Sequence, residues 1–128
     1  MSGHRALFTI AALWNWTISL GTLVVPQLVY RISMPVEAPE NLAMTYLFMG
    51  LVAIFGLGYF WASRDFDANR AVIRLGVAGK TTVFAMACVL LAQRQIGIPF
   101  FALAVGDLVF AILFVRALRQ TRGRTATP

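Results

Sequence analysis

A single cysteine, Cys88, and a single histidine, His4, are all this chain holds of the side chains that most often carry redox chemistry and metal binding. One thiol cannot form the redox pair that a quinone-linked disulfide enzyme needs, and Cys88 reads as a small buried hydrophobe. One histidine, in the N-terminal flank, excludes bis-histidine haem and most metal sites. It also leaves every serine without a base to activate it. Charge is scarce: 12% of residues are charged and 59% hydrophobic, where a soluble domain carries about 25% charged residues. Glutamate occurs only at positions 37 and 40, outside every apolar run, so di-iron or paired-carboxylate catalysis has no ligand set. Gly-rich phosphate loops are missing too. These absences lead to an expectation of no catalytic residues, no metal and no cofactor.

What is present is apolar length. Four runs, residues 6–29, 42–62, 71–92 and 98–118, each approach the roughly 20 residues that cross a hydrocarbon core, and mean hydropathy is +0.76. The connectors at 30–41, 63–70 and 93–97 are short enough to force neighbouring helices antiparallel. Pro99 opens the fourth run, where a missing N–H costs nothing, while Asp65, Asp67 and Asn69 interrupt the chain between the second and third. The expected fold is all-α: an integral membrane antiparallel four-helix bundle forming a single domain over residues 1–128, with a basic tail at 119–128. The first twenty residues have the basic start of a signal peptide, yet their apolar run continues to Tyr30. Signal peptides have apolar cores of about 7–15 residues, so the segment reads as a span.

The net charge of +6 does not point to nucleic acid, because ten of the eleven basic residues flank the apolar runs. They act as topology signals. Arg5, Arg64, Arg70, Arg74, Arg116, Arg119, Arg122 and Arg124 fall on one side, and only Arg31 and Arg94 on the other. Both termini are therefore expected to be cytoplasmic in a multi-pass membrane protein. Pro35 and Pro39 stiffen the outer connector beside Glu37 and Glu40, and the Arg116–Arg124 tail suits contact with anionic lipid.

Two ionisable residues break the apolar pattern. Lys80 and Asp107 lie near the middle of the third and fourth runs, where a charge costs roughly 2.5–3.5 kcal/mol on insertion scales. Lys80 lies about nine residues from its cytoplasmic end, or about 13 Å at 1.5 Å per residue. Asp107 and Asn15 fall in the same layer, to within about one helical turn. Gly76, and the Ala102-xxx-Gly106 spacing beside Asp107, permit close backbone approach. Asn15 shares a stripe with Ala11, Ser19 and Thr22. The first, third and fourth spans are thus expected to build a polar layer, and the second, with Val52 and Ala53 at that depth, to form an apolar wall. The layer reads either as a register-fixing ion-pair cluster or as a site for a polar head group or a proton.

Aromatic residues frame it. Tyr59 and Trp61 near the cytoplasmic end suit an interfacial belt, and Trp14 and Trp16 pack deeper, against helices, lipid or a cavity above Asn15. Arg64 and Asp65 read as a helix stop, or with Tyr59 as a cytoplasmic rim admitting a head group.

The segments AALWNW, GLGYFWASRDFDANR, LGVAGK and GDLVF resemble small bacterial four-span membrane proteins that are loosely DoxX-like in size and layout, over residues 6–118. The resemblance implies a four-helix inner-membrane bundle, with Asn15, Tyr59, Arg64, Asp65, Lys80 and Asp107 on its polar positions. DoxX proper carries an acidic residue in its second span; this chain has none there, so a quinol-oxidase-linked role is not implied. The reading is a non-enzymatic membrane subunit or a binder of a lipophilic ligand such as a lipid or quinone. Lys80 would meet an anionic or carbonyl head group, Asp107 would hold Lys80 charged, and Asn15 would complete the network. The alternatives are proton-coupled transport in a homo-oligomer, with Asp107 as proton acceptor, or a membrane enzyme using Asp107 as acid or base. Membrane lipids and a second membrane protein are the expected partners.

Overall fold

The computed structural model describes residues 3–34 and 37–122, with Arg122 by its backbone alone. It is all-helical over those residues: α1 Gly3–Val24, α2 Pro26–Ser33, α3 Ala43–Arg64, α4 Arg70–Ala92 and α5 Ile98–Arg122. The four long helices are long and apolar enough to cross a membrane, and α2 is the element that hydropathy missed. The run at 6–29 is continuous in composition but not in backbone, because Pro26 has no N–H to donate to Thr22 and its ring crowds that carbonyl. Pro26 instead occupies the first turn of α2, where the missing donor is harmless. Pro35 and Arg124 lie outside the described residues, so the expectations resting on them do too.

Each long helix buries one stripe and turns the rest outward. On α1 the buried positions are Phe8, Ala11, Ala12, Asn15, Ser19 and Thr22, the 3–4 spacing of one helical face. The opposite faces carry exposed Leu13, Leu47, Ile54, Leu75, Met86 and Val109, as a bundle with lipid for solvent requires. Cys88 is also exposed, contrary to its reading as a buried hydrophobe; the inward face of α4 is instead set by Ile73, Gly76, Lys80 and Ala87.

The helices associate as two pairs, α1 with α3 and α4 with α5, while α3 and α4 touch over far less surface. Small residues make the close approaches. A methyl group on Gly56 would sit 2.6 Å from Trp16 Nε1, whose N–H donates to the Ala53 carbonyl at 3.1 Å. One on Gly106 would sit 2.7 Å from the Trp14 ring, and one on Gly76 would sit 2.6 Å from the Tyr59 ring. Trp14 and Trp16 therefore serve helix packing.

At one end, His4 stacks on Phe66 at 4.8 Å and Phe8 packs on Phe114 at 4.7 Å. This joins the start of α1, the α3–α4 turn and the second half of α5. Asp65 closes that turn by accepting the Ala68 N–H at 3.0 Å, and the Asn69 side chain donates to the Asp65 carbonyl at 2.7 Å. At the other end the Gly97 N–H donates to the Ser33 carbonyl at 3.2 Å, tying α2 to the α4–α5 turn. There the Arg94 N–H bonds Leu91 O and the Gln95 N–H bonds Leu90 O, a Schellman closure. Arg94 takes the left-handed conformation, φ 57°, that such a closure demands.

Candidate functional site: an ion-pair layer at the end of an apolar cavity

Asn15, Lys80 and Asp107 meet. Lys80 Nζ donates to Asp107 Oδ1 at 2.5 Å and to Asn15 Oδ1 at 3.1 Å. Asn15 Nδ2 donates in turn to the Val52 carbonyl at 3.1 Å. Four helices therefore contribute. The expectation that the second span would supply only an apolar wall is corrected here: α3 gives the layer a backbone acceptor. A helical carbonyl facing a neighbour can accept a second hydrogen bond through its spare lone pair, and side-chain composition carries no trace of that.

Aromatic rings surround the ammonium. Lys80 Nζ lies 5.4 Å from the centre of the Tyr59 ring and 5.3 Å from that of Phe110, within reach of the ring quadrupoles. Tyr59 is 1% exposed and belongs to the main core cluster with Phe8, Ala62, Ile73 and Phe114. The expected cytoplasmic rim of Tyr59, Arg64 and Asp65 is thus not one feature. Tyr59 joins the Lys80 layer because it shares a face with Phe55 and Ala62, at the 3–4 spacing that aligns residues along a helix. Arg64 stays exposed, its guanidinium 5.0 Å over the Phe60 ring, and Asp65 is spent on closing the turn.

Beside the layer opens a cavity of about 230 Å³. Asn15, Tyr59, Lys80 and Asp107 form its polar part, and its other walls come from all four long helices: Ile18, Met49, Val52, Phe55, Val83, Phe100 and Leu103 among them. It lies between the two helix pairs, with residues of both α3 and α4 in its walls. Phe55 spans the seam between those helices and would meet a methyl group on Gly79 at 3.7 Å. Phe48 and Leu51 line the cavity and are themselves exposed on the outer surface of α3. The space thus communicates with the flank of the bundle. By comparison, an apolar cavity of about 150 Å³ stays dry and takes up benzene.

Among the described residues no cluster of three His, Cys, Asp or Glu occurs. What the site offers is an ion pair, two hydrogen-bonding side chains and an apolar volume larger than one aromatic ring. No protein-family model, curated protein or solved structure matches the chain, so the site's geometry and chemistry alone carry its functional reading.

Proposed function

We propose that the protein is an antiparallel four-helix protein of the bacterial inner membrane, DoxX-like in layout, that binds a membrane-dissolved lipophile. The apolar part of the ligand occupies the cavity between the helix pairs, and its polar end meets the Asn15–Lys80–Asp107 layer. The carrying observation is the coincidence of a cavity of about 230 Å³ with the Lys80–Asp107 ion pair near the middle of two apolar helices. A register clamp needs the ion pair but not the cavity, since a clamp is strongest when side chains fill the space around it. Ligand pockets are mostly apolar with a few convergent polar groups, and this one has that composition. No reaction is assigned: the protein holds its ligand, alone or as a subunit of a larger membrane assembly.

Native mass spectra of the detergent-purified protein test this. Wild type is expected to carry a defined small-molecule adduct that is missing from a folded Lys80→Met/Asp107→Leu variant. Identical, adduct-free spectra from the two proteins would leave the layer as a structural clamp.

The eight-to-two arginine asymmetry supports a cytoplasmic position for both termini. In a Cys88→Ser background, a membrane-impermeant maleimide is expected to label Arg94→Cys in intact cells, and Asp67→Cys only after permeabilisation. The reverse pattern would invert the topology.

A further inference from the structure

The polar end of the cavity is not electrically symmetric. The Lys80 side chain is 6% exposed and that of Asp107 is 18%. The ammonium is committed to Asp107, Asn15 and two aromatic rings. The carboxylate uses Oδ1 for Lys80, whereas Oδ2 accepts no hydrogen bond among the described residues. What a ligand meets first is therefore an acceptor with negative charge behind it, inside a site whose cation is already neutralised.

An ionised carboxylate only accepts hydrogen bonds. A phosphate, sulfate or fatty-acid head group would place like charges together in a medium that screens them weakly. A head group that only accepts, such as a ketone, ester or ether, would leave Oδ2 unmatched. An uncharged hydroxyl has what the site lacks. It can donate to Asp107 Oδ2, beside Tyr59, which lines the same cavity and directs its hydroxyl toward Gly76.

From this geometry, and resting on the lipophile-binding reading above, we propose that the ligand is an uncharged hydroxyl-bearing lipophile, an alcohol or phenol with an apolar body. It reaches the cavity from the bilayer through the α3–α4 seam. The head group that Lys80 alone would select, an anion or a bare carbonyl, is the one that Asp107 disfavours.

Three probes on one chain separate these chemistries: oleyl alcohol, oleyl methyl ether and oleyl sulfate. Each is titrated into the full-length protein in detergent and its occupancy read by native mass spectrometry. Two variants that fill the cavity without touching the layer, Val83→Phe and Leu103→Phe, run alongside, with folding checked by circular dichroism. Oleyl alcohol is expected to bind wild type about 3–10-fold more tightly than the ether, the yield of one net hydrogen bond. The sulfate is expected to bind about 100-fold more weakly than the alcohol, and alcohol binding to fall at least tenfold in either folded variant. Ether or sulfate binding as tight as the alcohol, and lost in the filled variants, would overturn the hydroxyl assignment and leave the cavity reading standing. Binding of all three that neither filled variant reduces would overturn both.

Discussion

Lys80→Met alone is expected to destabilise the bundle by about 3–5 kcal/mol, the cost of leaving one member of a buried pair uncompensated. Asp107→Leu alone should cost a similar amount, since Lys80 would then keep only Asn15 and two ring faces. The double variant Lys80→Met/Asp107→Leu is expected to recover most of either loss, because two apolar side chains of similar size replace two charges that membrane interiors tolerate poorly. Reversible unfolding in mixed micelles, analysed as a double-mutant cycle, gives the coupling directly. Additive single losses would mean that the two charges do not stabilise each other. Asp107→Asn separates structure from charge: the amide keeps an acceptor for Lys80, so the bundle should stay folded while its discrimination against anionic ligands weakens.

The second large effect comes from glycine. Gly76→Ala is expected to destabilise by about 1–3 kcal/mol, the usual range for overpacking a filled interior, because the added methyl would fall 2.6 Å from the Tyr59 ring. Gly56→Ala should behave alike through Trp16, with the Ala12 carbonyl only 3.3 Å away on the same side. Gly21→Ala and Gly50→Ala meet nothing within 4 Å. They should be neutral or stabilising by up to about 1 kcal/mol, the gap in helix propensity between the two residues. The same unfolding experiment on all four variants decides. If Gly76→Ala matched Gly50→Ala, the tight contact between α3 and α4 through Tyr59 would not exist in solution. Gly76→Ala should also lower ligand affinity, since moving Tyr59 disturbs the polar layer as well as the packing.

These two predictions draw on features that differ in how far the sequence exposes them. The polar layer was readable because depth in a membrane helix follows from counting residues, and Lys80, Asp107 and Asn15 lie at matching counts from their span ends. The four spans were readable because lipid demands long apolar runs and the connectors between them are plainly polar. Pro26 was hidden by the same rule, since hydropathy scores composition and not hydrogen-bonding capacity. Tyr59 was misplaced because the aromatic-belt rule looks at distance from the helix end and ignores the face. Its neighbours at 55 and 62 mark it as a core position, and that spacing was available in the sequence. Cys88 went wrong by the opposite route, from residue type without face. The Val52 carbonyl carries no mark in the sequence at all, and neither does the cavity, which is a property of how two helix pairs fail to close.

That pairing bears on how the chain enters the membrane. The first half, ending with α3, already contains the bond from Asn15 to Val52, and the second half, α4 with α5, already contains the bond from Lys80 to Asp107. Within the polar layer, the bond from Lys80 to Asn15 is the one that crosses between the halves. Each half therefore reaches lipid with its own polar groups matched, so neither an isolated ammonium nor an isolated carboxylate has to wait in hydrocarbon for its partner to be synthesised. Insertion can proceed half by half, with the layer's bond from Lys80 to Asn15 closing when the halves dock.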